Sequence, residues 1–115
     1  MENELPEASW KERILFFLGR RRAFLVEGDS MSPTLKDGDA VLVNPKEKIS
    51  EGDIVLADHP YKESVKILKR VEKFTEKGDL YLVGDNPKSI ESTDSRSFGA
   101  VPANHLIGKA TCRLK

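Results

Sequence analysis

The 115 residues predict a mainly β domain, a small antiparallel sheet or partly open barrel preceded by one N-terminal amphipathic helix. Three observations carry that expectation. From Ala23 onward the apolar residues fall into short runs of strand length. Gly-Asp or Asp-Gly turns punctuate those runs. Before Ala23 the apolar spacing is helical instead.

The helix is expected over residues 7–18. Ser9 stands as its cap, with Glu12 three positions on as the capping-box partner. Trp10, Ile14, Phe17 and Leu18 fall at i, i+4, i+7 and i+8, on one stripe. Arg20, Arg21 and Arg22 suit the negative end of the helix dipole. Such a stripe packs on its own domain, lies in the plane of a membrane surface, or binds a partner. The apolar run Ile14–Leu18 is far short of the roughly 20 residues a spanning helix needs. A secretory signal puts basic residues before its apolar run. Here Glu2, Glu4 and Glu7 come first and the arginines last, so no export is expected.

Strands are expected at Ala40–Val43, Ile54–Ala57, Val65–Val71 and Leu80–Val83. A last run, Leu106–Cys112, reads as an edge strand interrupted by Gly108. The stretch from Gly84 to Pro102 is long for a connection in so small a domain, and loops of that length are usually functional or disordered.

With 38% apolar residues one core is affordable and a second is not. Nineteen Lys+Arg balance nineteen Asp+Glu, so no net field draws the chain to nucleic acid, and none is expected as a partner. The lone Cys112 can close no internal disulfide. No HExxH or CxxC spacing occurs, so neither a metal nor another cofactor is expected.

One residue breaks the pattern. Alternation along the third run puts Val65, Ile67, Lys69 and Val71 on one face, so Lys69 occupies a core position. It is an inward charge protecting an edge strand, a lysine whose stem packs while its head reaches water, or an amine held neutral by desolvation. Lowering a lysine pKa from about 10.4 to about 7.5 costs roughly 4 kcal/mol. A small fold carries that when the neutral amine serves as a general base. Ser30, in the glycine-containing bend Glu27–Leu35, is the hydroxyl such a base would activate. His59 and His105 lie in no triad motif and are expected to be structural or superficial.

Together these segments resemble the bacterial signal peptidase I family of Ser–Lys proteases. The resemblance runs through Gly28-Asp29-Ser30-Met31-Ser32-Pro33-Thr34-Leu35, Gly38-Asp39, Gly52-Asp53-Ile54-Val55 and Lys69-Arg70-Val71. It continues through Gly78-Asp79, Gly84-Asp85-Asn86, Asp94-Ser95-Arg96, Gly99 and Val101-Pro102, spanning residues 24–110. It implies a catalytic core of the signal peptidase I type over residues 23–115, with 1–22 as a helical segment before it. Carried over, Ser30 matches the nucleophile, Lys69 the general base, and Ser92 the serine that orients the lysine amine. Asp94 and Arg96 match a structural ion pair near the site, and the Ser30 backbone N–H the oxyanion donor. Gly28 stands where some members add a side-chain hydroxyl to that donor set.

Without a spanning segment, the chain is similar to the nickel-type superoxide dismutase maturation proteases. Their resemblance implies a cytoplasmic endopeptidase that removes an N-terminal extension from a nickel superoxide dismutase precursor. The alternative is a signal peptidase acting on secretory preproteins, with residues 7–22 as a peripheral membrane contact. Self-cleaving SOS-response repressor domains share the Ser–Lys logic, but here no helix-turn-helix precedes the core and no Ala-Gly or Cys-Gly cut site occurs.

Overall fold

The computed structural model describes residues 5–89 and 94–114. Helix α1, Trp10–Phe17, is followed by β1 (Arg22–Leu25), β2 (Ala40–Asn44), β3 (Ile54–Asp58), β4 (Lys66–Phe74) and β5 (Leu80–Val83). A short helix α2, Ser95–Phe98, and a 3-10 turn at Ala103–His105 lead into β6, Leu106–Leu114. The strands form one open, antiparallel six-stranded sheet in the order β1-β2-β6-β3-β4-β5.

Period-two alternation sorts the buried residues onto two faces. Ile54, Leu56 and Leu68 join Met31, Leu35, Val41 and Val43 on one side. Val55, Ala57, Ile67 and Val71 join Leu80, Leu82 and Val101 on the other. Both sides of β3 are covered, which is why it is an unbroken apolar run with four consecutive buried residues. Each such side chain contributes about 1.5–3 kcal/mol by leaving water. The tight turns at Gly38, Gly52 and Gly78 take φ of +92°, +92° and +88°, open to glycine at little cost.

Four sequence expectations change. Strand β6 is no edge: it lies between β2 and β3. Gly108 does not interrupt it; a Cβ there would fall 2.6 Å from the Asn44 carbonyl oxygen, so only glycine lets the chains approach. Strand β1 forms the edge instead. Helix α1 is shorter than expected, and none of its residues is buried, so its stripe does not pack on the domain. The capping box is half made. Ser9 Oγ accepts from the Glu12 N–H at 3.2 Å, while the Glu12 carboxylate turns to Arg21, 2.8 Å away, and the Thr111 hydroxyl. Arg21 and then Thr111 hold the Glu12 pKa below the ordinary range against the effect of burial. Among the described residues no helix is long and apolar enough to cross a membrane.

Candidate active site

Ser30 sits in the connection between β1 and β2. Gly28 precedes it at φ +81°, a conformation that disfavours a side chain, and its N–H donates to Asp37 Oδ1 at 2.7 Å. The turn is pinned from beneath by buried Met31 and Leu35. Its own bonds run from the Ser32 N–H to the Asp29 carbonyl and from the Leu35 N–H to the Met31 carbonyl, with Ser32–Pro33 cis.

A second segment clamps the turn from the side. The Asn86 N–H donates to the Ser30 carbonyl at 2.9 Å, and Asn86 Nδ2 to the Asp29 carbonyl at 2.9 Å. Ser89 Oγ donates to Asp29 Oδ1 at 2.9 Å. Gly84 passes so close that a Cβ on it would fall 2.7 Å from the Ser30 carbonyl oxygen.

Lys69 lies in β4, inside the sheet between β3 and β5, opposite buried Val55. It is 3% exposed, which removes both the edge-strand and the snorkelling explanations of its position. Its Nζ lies 2.7 Å from Ser30 Oγ across 39 residues of sequence. The two atoms that sequence reasoning paired are thus within hydrogen-bonding reach.

The next residue, Arg70, forks onto Asp85 with contacts of 2.8 and 2.6 Å and donates to the Gly52 carbonyl at 2.7 Å. Thr34 Oγ1 donates to the same carboxylate at 2.6 Å, so strand β4 and the Ser30 turn share one anion. Burial pushes the Asp85 carboxyl up, but the bonds from Arg70 and Thr34 outweigh it and hold the pKa below the ordinary range. Asp94 behaves alike. Burial raises it, while Arg96, 2.6 Å away, and the N–H groups of Gly84 and Arg96 bring it down further. Asp94 thereby caps α2 and holds Gly84 against the Ser30 turn.

The expected Asp94–Arg96 ion pair is therefore present, and Gly28 occupies its bend. Ser92 lies outside the described residues. Sequence reasoning did not single out Thr34, Arg70, Asp85, Asn86 or buried Ser95, whose Oγ accepts from the Leu82 N–H at 2.9 Å. The only signal for them was their place inside the Gly28–Leu35, Lys-Arg-Val, Gly-Asp-Asn and Asp-Ser-Arg strings.

Two recesses meet at Ser30. One of about 120 Å³ is lined by Phe24, Val26, Met31, Ile67, Leu68 and Lys69 among others. The other, about 300 Å³, is polar and runs past Gly84, Asn86, Ser89, Asp94 and Arg96. Larger recesses of about 420 and 510 Å³ lie elsewhere and contain neither Ser30 nor Lys69. Neither histidine lines the recesses at Ser30. His59 is buried, its Nδ1 accepting the N–H groups of Tyr61 and Lys62 at 3.0 Å each.

A family model described as Peptidase S24-like matches residues 9–101. The chain is 33% identical to the mitochondrial inner membrane protease subunit 1 of Xenopus tropicalis over 113 aligned positions, covering 78% of this chain and 66% of that protein. It is also 33% identical to the mitochondrial ATP-independent inner membrane protease subunit 1a of Arabidopsis thaliana over 115 positions, covering 77% and 67%. The chain spans about two thirds of the length of these relatives.

Proposed function

The chain belongs to the Peptidase S24-like family, and on that premise we propose that it is a serine endopeptidase with Ser30 as nucleophile and Lys69 as general base. One observation carries the reading: a lysine amine enclosed in the sheet, 2.7 Å from a serine hydroxyl on a clamped turn. Enclosure disfavours the ammonium form, and a neutral amine accepts a proton where an ammonium cannot.

Ser30 Oγ bonds to the scissile carbonyl carbon as its proton passes to Lys69 Nζ. The carbonyl oxygen becomes an oxyanion, held by the Ser30 backbone N–H. The C–N bond then breaks, and the Lys69 ammonium returns its proton to the departing amine nitrogen. Water attacks the acyl carbon, giving a proton to Lys69, which passes it to Ser30 Oγ as that oxygen leaves. The Asn86 and Asp94 contacts act through the turn, keeping the hydroxyl in place; misplacement by about 1 Å can cost on the order of 100-fold in rate. Ser92 is assigned the task of orienting the amine. An extended substrate pairs with a sheet edge and fills the two recesses at Ser30, the smaller of which suits a small side chain.

The substrate is a precursor protein that loses an N-terminal extension, with the nickel-type superoxide dismutase precursor as the first candidate and the cytoplasm as the compartment. A second reading, a membrane-associated preprotein cut at the bilayer, draws support from the names of the inner membrane protease relatives. Incubation with a nickel superoxide dismutase precursor and, separately, a secretory precursor separates them, with new N-termini read by mass spectrometry. Cleavage of the first alone supports the maturation reading, and of the second alone the membrane reading. Ser30→Ala that still cuts either one overturns the dyad.

A further inference from the structure

Helix α1 holds to its domain by the wrong side for a globular protein. The helix residues facing the body are Glu12 and Leu15, both half-buried, and Glu12 is tied to Arg21 and Thr111. On a helix with 3.6 residues per turn, Trp10, Ile14 and Phe17 lie on the opposite side. They are 82%, 51% and 88% exposed, and Leu18 beyond them is 60% exposed. Around this stripe Lys11, Arg13, Arg20 and Arg22 are exposed, whereas Glu12, the only acidic residue between positions 10 and 22, is neutralised from within by Arg21.

We propose that α1 and the arginines after it are an in-plane docking surface for an anionic lipid bilayer, with the Trp10–Phe17 stripe entering the headgroup boundary. Charge complementarity selects the occupant: the exposed charged residues between positions 10 and 22 are all cationic, as a surface of acidic phospholipid requires. A second copy of the chain fits poorly. A twofold contact would set the same arginines against each other. Trp10 and Phe17 together expose on the order of 300 Å², against the roughly 800 Å² per partner of a stable protein interface. The surface also leads to the cleft. Strand β1 begins at Arg22, its Leu25 is 56% exposed, and its Phe24 lines the recess holding Ser30 and Lys69. The inference stands apart from the peptidase reading, since it concerns lipid alone.

Trp10 is the single tryptophan, so its fluorescence reports on this face and no other. The full chain is titrated with phosphatidylcholine vesicles containing about 30 mol% phosphatidylglycerol. The expected result is a blue-shifted Trp10 emission together with flotation of the protein, both weakened by salt. Arg20→Gln with Arg22→Gln lowers the partition coefficient about 25-fold, at about five-fold per charge. Phe17→Glu abolishes the shift. All three positions are exposed, and circular dichroism of each variant checks that the sheet persists. No blue shift and no flotation by the folded chain overturns the proposal. Equal binding to pure phosphatidylcholine, or a blue shift that grows with protein concentration without vesicles, overturns it as well, the latter in favour of self-association.

Discussion

Gly84 and Ser30 lie so close that the smallest possible side chain on the first would strike the carbonyl oxygen of the second, at 2.7 Å. The obstacle is backbone, so it cannot swing away. Gly84→Ala is expected to displace the Ser30 turn and lower kcat by about 100-fold with little change in KM. Steady-state kinetics beside a thermal unfolding curve test this; unchanged kcat in a folded variant excludes a tight fit at this contact.

Ser30→Ala and Lys69→Met should each remove cleavage, and the double variant should be no slower than either single one, because the proposed mechanism uses the two side chains as a unit. The fold should survive both changes, since methionine fills the space of a buried lysine without a charge to desolvate. Additive losses in single-turnover assays would show two independent roles.

With Lys69 as the proposed base, only its uncharged form can take the Ser30 proton, so kcat/KM should climb with pH and stay low in acid. An acid optimum measured on the full chain would eliminate a lysine base.

Arg70 and Asp85 have side chains only 14% and 15% exposed, and Asp85 also takes the Thr34 hydroxyl. Asp85→Asn leaves the guanidinium enclosed without its anion and is expected to cost about 3 kcal/mol in urea unfolding. Replacing both partners, Arg70→Met with Asp85→Leu, should cost less than that single change. Asp85 and Asp94 both titrate below the ordinary carboxylate value of about 3.8. Their contribution is complete above that pH and is lost as pH falls below it toward the folded-state values.

His59 adds a milder dependence. Its enclosure, and secondarily Lys62, lower its pKa from the ordinary 6.5, and its Nδ1 is occupied by two N–H donors. The unfolded chain therefore takes the proton first, so stability is full above about pH 6.5 and declines as pH falls through the range below it. Between pH 7.5 and 5, Tm should fall further for the native chain than for His59→Ala. Parallel falls would assign the effect elsewhere.

The strands most legible in the sequence are short apolar runs set beside glycine turns. Ile54–Asp58 follows the Gly52 turn with four consecutive buried residues, and Leu80–Val83 lies between Gly78 and Gly84. Strand β1 escapes notice because Arg22-Ala23-Phe24-Leu25 is largely exposed and lacks alternation. The misplaced β6 has another cause. Pairing of Leu42 with Cys112 and Leu56 with Gly108 joins distant segments, and local periodicity carries no record of strand order. Lys69 announced itself as a charge among β-branched neighbours, and the ordered motifs supplied Ser30. The Thr34–Asp85–Arg70 linkage was silent, because its three residues read individually as turn or surface polars and meet only across 51 and 15 positions. The inverted α1 was hidden as well: helical spacing reveals that a stripe exists, not which way it points.

The placement of β6 has a consequence for biosynthesis. It is translated after every other strand, yet it joins the half carrying Ser30, β1-β2, to the half carrying Lys69, β3-β4-β5. A nascent chain that has not yet released residues 106–114 from the ribosome holds both reacting side chains without the strand that sets the halves in register. On the proposed mechanism such a chain is expected to be inert, with the ability to cut arriving when that stretch emerges.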